Sequence, residues 1–96
     1  MIKYRIKSRP ESDIDLMEIA DYISEFSTDA ALRQISRIEK AIYSLENFPY
    51  RGKKAGLVDG MDLHQINIDR YKILYLIFDE HVEIYRIVHM KRNVKF

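Results

Sequence analysis

Around Pro49 the spacing of apolar residues in this 96-residue chain changes from intervals of three and four to strand-like runs, and that switch limits the folds open to it. Before it, Leu16, Ile19, Ala20, Ile23 and Phe26 recur at helical spacing, and Ala31, Leu32, Ile35, Ile38, Ile42, Leu45 and Phe48 form a second such series. After it, Met61 to Ile68, Tyr71 to Phe78 and Val82 to Val88 read as strands rich in β-branched and aromatic residues. Asp69-Arg70 and Asp79-Glu80-His81 join them, connections short enough only for antiparallel hairpins. Neither connection contains glycine, so the turn types stay open at this level.

The first residues add one more element. Ile2, Tyr4 and Ile6 alternate with Lys3, Arg5 and Lys7, which predicts a strand with one apolar and one charged face. Pro10 follows, and Glu11, Asp13 and Asp15 suit the positive end of a helix dipole, with Ser12 the expected N-cap. On that helix Asp15, Glu18, Asp21 and Glu25 are expected to face water. Ser27, Thr28 and Asp29 interrupt the apolar series with cap-forming side chains, so the pattern breaks into two helices there. Pro49 stops the second, and the polar stretch to Gly60 reads as a mobile loop. The order β-α-α-β-β-β predicts a single α+β domain over residues 1–96, a helical hairpin packed on a mostly antiparallel four-stranded sheet.

Composition narrows the chemistry. A 47% hydrophobic and 32% charged chain folds around its own core, and without cysteine it has neither disulfides nor thiolate metal sites. His64, His81 and His89 are too scattered to suggest a metal centre, so no metal and no cofactor is expected. No apolar run approaches membrane-spanning length, which points to the cytoplasm and away from a membrane. Net charge is only +1, too small to argue for nucleic acid by itself, but residues 1–10 carry +4 and residues 11–30 carry −7.

Several segments taken in order resemble the RelE/ParE superfamily, the toxins of bacterial type II toxin-antitoxin modules. They are Tyr4-Arg-Ile, Asp15 to Ile23, Ala41 to Gly52, Arg70 to Tyr75, and Val82 to Arg92. The resemblance covers nearly the whole chain. It implies the same fold, a cognate antitoxin that silences the toxin, assembly as a toxin-antitoxin heterotetramer, and a role in plasmid stabilisation and growth inhibition. It also implies one of two targets. ParE-like members inhibit DNA gyrase without obvious catalytic residues, whereas RelE-like members are mRNA interferases that cut messenger RNA on the ribosome.

Metal-free RNA cleavage needs a base for the 2′-hydroxyl, an acid for the leaving oxygen and cations for the developing charge. By the resemblance, Lys72, His89, Lys91 and Arg92 are the residues that would supply them in a nuclease. The set departs from that pattern: Lys72 stands where an arginine is usual and lacks its bidentate fork. The preceding strand offers His64, Gln65 and Asn67 in place of lysines, and Phe96 ends the chain without a tyrosine hydroxyl. The expectation is therefore a gyrase-binding toxin with no catalytic residue. A ribosome-dependent endoribonuclease and a degenerate module that retains only antitoxin binding are the alternatives. Arg86 is expected to pair with an acidic residue of the sheet, because a charge within a strand needs a partner.

Overall fold

A computed structural model describes residues 3–91, in the order β1 (Arg5–Ser8), α1 (Pro10–Ser24), α2 (Thr28–Tyr43), β2 (Lys53–Val58), β3 (Met61–Ile68), β4 (Tyr71–Ile77) and β5 (His81–His89). The strands form one five-stranded sheet in the order β1-β5-β4-β3-β2. Three of its pairings are antiparallel, and β1 lies parallel to β5 with Arg5 opposite His81. The α+β architecture and the helical hairpin are as expected, but the sheet has five strands rather than four.

The extra strand comes from the stretch read as a mobile loop. Short 3-10 turns at Ser44–Glu46 and Pro49–Arg51 bring the chain back to the sheet, where β2 pairs with β3. Asp59 and Gly60 both have positive φ, 50° and 79°, the backbone of a two-residue type I′ hairpin between Val58 and Met61. At Gly52 the reason for glycine is space. A Cβ there would collide with the Tyr75 hydroxyl and lie 2.7 Å from the Gln65 carbonyl oxygen. Tyr75 is fully buried and donates its hydroxyl to the Pro49 carbonyl at 2.7 Å, so this close approach fastens the turn to the sheet.

α1 begins earlier than its serine suggested. Pro10 occupies the first helical position with its fixed φ, and Arg9 is the cap residue, with φ −79° and ψ 151°. Ser12 lies inside the first turn, buried, and donates to the Arg9 carbonyl. Ser27 does cap α2, its hydroxyl accepting from the Ala30 N–H at 3.1 Å. At the hinge the N–H groups of Phe26 and Ser27 both reach the Ile23 carbonyl, which closes α1.

Between helices and sheet, Ile38, Ile42 and Leu45 pack against Ile66, Tyr71, Ile73, Tyr75, Val82, Ile84 and Ile87. Burying an aliphatic side chain of this size contributes about 1.5–3 kcal/mol, so this layer accounts for most of the drive to fold. Three residues of the apolar helical series lie outside it: Phe26, Leu32 and Phe48 are 76%, 66% and 60% exposed. On the far face Leu63, Leu74, Leu76 and Val88 form a second cluster with Val58, Met61, Phe78 and Tyr85. Among the described residues no helix is long and apolar enough to cross a membrane.

Candidate functional site

The strand register decides which of the sequence-predicted residues can meet. Across β4 and β5, Tyr71 faces His89 while Lys72 faces Val88. Side chains alternate between faces, so His89 points to the helix side and Lys72 to the far side of the sheet. Lys72 stands instead beside Asn67 of β3, whose carbonyl accepts from the Gln65 amide at 2.7 Å. Lys91 is exposed in the turn after β5, and its N–H donates to His89 Nδ1 at 3.2 Å. That bond puts the proton of the neutral imidazole on Nε2. Arg92, Lys95 and Phe96 lie outside the described residues.

His89 opens onto a cleft of about 470 Å³ between α1 and the ends of β4 and β5. Helical spacing brings Asp15, Glu18, Ile19, Tyr22 and Ile23 onto one side of it, and Arg70, Tyr71, Ile87 and His89 form the other. The His89 ring meets Tyr71 edge to face at 5.3 Å between centroids. Tyr22 of α1 and Phe26 of the turn after it, in edge contact at 5.6 Å, are exposed. Glu18, Tyr22 and Arg70 were not singled out in the sequence. The available signal was the shared i, i+3, i+7 stripe from Asp15, which only becomes a site once its partner strand is known.

The floor of the cleft is an ion pair. Asp15 is buried rather than solvated, and accepts from Arg86 Nε at 2.7 Å, Arg86 Nη2 at 2.9 Å and the Ile87 N–H at 2.9 Å. A β-bulge makes this geometry possible. Leu74 pairs with Arg86 but Tyr75 pairs with Ile84, so Tyr85 is the inserted residue, and the local turn of the strand aims Arg86 at α1. The Asp15 carboxylate raises the Arg86 pKa through its hydrogen bonds, against the opposing effect of burial. Arg86 therefore acts as the pin between α1 and β5, its acidic partner supplied by the helix and not, as expected, by the sheet.

A third histidine environment lies on the helix side near β2. His64 is buried, stacked on Tyr75 at 5.5 Å and met edge-on by Tyr50 at 6.1 Å. Burial lowers its pKa from 6.5, with nearby Lys54 acting the same way and Asp62 opposing, and its Nδ1 has no hydrogen-bond partner among the described residues. Elsewhere Asp69, at φ 53° in the β3–β4 turn, accepts from Arg37 Nε and Nη2 and from Gln34, which holds its carboxyl below the usual range and ties the turn to α2. Among the described residues no group of three His, Asp or Glu side chains converges as a metal site.

Comparison with known proteins bears on all of this. A family model described as the ParE toxin of type II toxin-antitoxin systems matches residues 6–94. The chain is 37% identical over 78 residues to Toxin RelE2 of Caulobacter vibrioides, a match covering 81% of this chain and 85% of that protein. Among solved structures, a chromosomal ParDE system from P. aeruginosa superimposes with a TM-score of 0.77 at 17% identity, covering 93% of this chain and 98% of that one. The RelBE2 toxin-antitoxin complex of Mycobacterium tuberculosis gives a TM-score of 0.69 at 22% identity, over 93% of both chains. The RelE-RelB complex of Pyrococcus horikoshii gives 0.69 at 16% identity, over 96% of this chain and all of the other.

Proposed function

This chain belongs to the ParE toxin family of type II toxin-antitoxin systems, and from that premise we propose that it arrests growth by binding DNA gyrase without catalysing a reaction, under the control of a cognate antitoxin. The observation that carries the gyrase reading is the strand register. With Lys72 opposite Val88 and His89 opposite Tyr71, Lys72, one cation of the nuclease set, and the imidazole stand on different faces of the sheet. General acid-base catalysis requires both within hydrogen-bond reach of one scissile phosphate. A binding toxin has no such requirement, and the cleft beside α1 with its exposed Tyr22, next to the exposed Phe26, offers it a contact surface. An antitoxin partner is supported by the similar structures, two of which are described as toxin-antitoxin or RelE-RelB complexes.

The test is a paired assay on purified toxin. Loss of gyrase supercoiling, with ribosome-bound messenger left intact, is the expected result. Cleaved messenger with unaffected gyrase would refute it. One observation favours the endoribonuclease reading: His89, Tyr71, Arg70 and Glu18 gather at a single cleft, a set that includes both proton-transfer groups and a cation. On that reading Arg70→Ala and His89→Ala each abolish messenger cleavage. Co-purification with the product of an adjacent reading frame tests the antitoxin.

A further inference from the structure

The far face of the sheet collects cations from strands that are distant in sequence. Ile6 and Val82 pack into the helix-side core, so their neighbours Arg5, Lys7, His81 and Glu83 look the other way. Lys53 pairs with Gln65, and Lys72 with Asn67, on that same far face. Arg9 joins them, its guanidinium 4.8 Å above the ring of Tyr85, which packs in the far-face cluster. Five cations therefore share a face on which Glu83 is the carboxylate among the described strand residues. Among the described residues Arg5, Lys7, Lys53 and Lys72 have no ion-pair partner and Arg9 meets Glu11 at 3.3 Å, whereas Arg37 and Arg86, on the helix side, are each locked to a carboxylate. α1, on the opposite side, carries Glu11, Asp13, Asp15, Glu18 and Asp21 and no cation.

We infer that this far face binds the sugar-phosphate backbone of duplex DNA. The inference rests on the gyrase reading for its setting, where it would let the toxin grip the DNA held by its target. Edge lysines also protect sheets against strand addition, but that role cannot explain Lys72, which stands on the interior strand β4. Lysines, arginines and the amides of Gln65 and Asn67 are the groups that hold phosphates without reading sequence. Duplex is favoured over single strands because the aromatics of this face are occupied. Tyr85 lies under Arg9, and Phe78 is stacked on His81 at 4.5 Å, which leaves no open platform for unpaired bases among them. The sign separation between α1 and the far face would turn this face towards a polyanion during encounter.

Counterion release makes the inference quantitative. Phosphate contacts from the four unpaired cations give a slope of log affinity on log salt near −3.6, or about a 150-fold loss between 50 and 200 mM salt. The experiment measures anisotropy of a labelled duplex across that range. Lys7→Gln/Lys53→Gln/Lys72→Gln is expected to reduce the slope to about −0.9, a loss of roughly three- to fourfold over the same range. Lys40→Gln, on α2, should leave the wild-type slope in place. Absence of duplex binding at 50 mM salt, an unchanged slope in the triple variant, or tighter binding to single-stranded RNA than to duplex would each overturn the inference. The gyrase arm separates the two claims. A triple variant that still associates with DNA-free gyrase but retains cleaved DNA poorly supports the DNA face. Wild type that binds duplex but not gyrase refutes the gyrase reading and leaves the DNA face standing.

Discussion

Replacing Asp15 by alanine removes three hydrogen bonds at once, two of them charge-assisted bonds from Arg86 and one from the Ile87 N–H. The two losses differ in kind. Arg86 keeps 32% of its side-chain surface exposed and can turn to water, so its separation from Asp15 costs less than for a fully buried pair. The Ile87 N–H belongs to a buried residue and is left without its acceptor, a penalty of about 1–3 kcal/mol. Together with the charge-assisted bonds, the expected loss is about 3–5 kcal/mol. A chain of this length has a total stability of only about 5–14 kcal/mol, so the variant lies close to unfolding. With a urea slope of about 1–1.5 kcal/mol/M, the midpoint should fall by roughly 2–5 M, read by far-ultraviolet circular dichroism.

Asp15→Asn is the discriminating companion. Its side-chain oxygen can still accept from Ile87, so it should lose about half as much as the alanine variant, mainly the charge-assisted part. Arg86→Met and the double variant complete a cycle, with an expected coupling of about 1.5–3 kcal/mol. A sum of the single effects that reproduces the double variant within about 0.5 kcal/mol would refute the claim that this pair pins α1 to β5.

Gly52→Ala should destabilise by about 1–3 kcal/mol through overpacking against Tyr75 and the Gln65 carbonyl, although Gly52 has an ordinary extended φ. A neutral effect in urea unfolding would mean that the Pro49–Arg51 turn is not fastened there. His64 sets an acid-side dependence: its folded pKa lies below the unfolded 6.5, so the unfolded chain binds the extra proton. Stability should therefore be complete above about pH 6.5, decline as pH drops below it and level off under the folded value. His64→Phe should flatten that decline, and an identical pH profile in the variant would show the histidine is not its source.

The elements that formed where the sequence indicated are those whose signal is local. Residues Thr28 to Tyr43 carry a cap at Ser27 and an unbroken helical stripe, and β4 is a continuous run of β-formers between Arg70 and Phe78. β2 was missed because it is an edge strand whose first five residues are exposed, so it lacks the alternation that burial of one face imposes. Its only strong signal was Asp59-Gly60, a type I′ hairpin pair that was counted within a loop. Phe26, Leu32 and Phe48 fit the apolar period yet remain exposed, since periodicity records which residues share a stripe but not where a packed stripe ends.

Of the cleft's lining only His89 was legible as a candidate in the sequence, and one bulge is the reason its placement was not. Without the insertion at Tyr85, strict alternation from Ile84 would send Ile87 to the far face and Val88 and His89 with it to the wrong sides. With it, Ile87 returns to the helix-side core, Val88 faces out beside Lys72, and His89 opens into the cleft beside Tyr71. A single-residue shift moves every later side chain to the other face. Sequence spacing therefore brackets Lys72 and His89 in one basic, protic segment, while the register sends one to a cationic sheet face and the other to a cleft against α1. The two surfaces meet different demands: the cleft, floored by the Asp15–Arg86 pair, is preorganised and partly apolar, suited to a protein contact. The far face is broad, and four of its five cations have no ion-pair partner among the described residues, which suits a phosphate backbone. If the toxin holds both gyrase and its DNA, as proposed, the sheet keeps the two contacts on opposite sides.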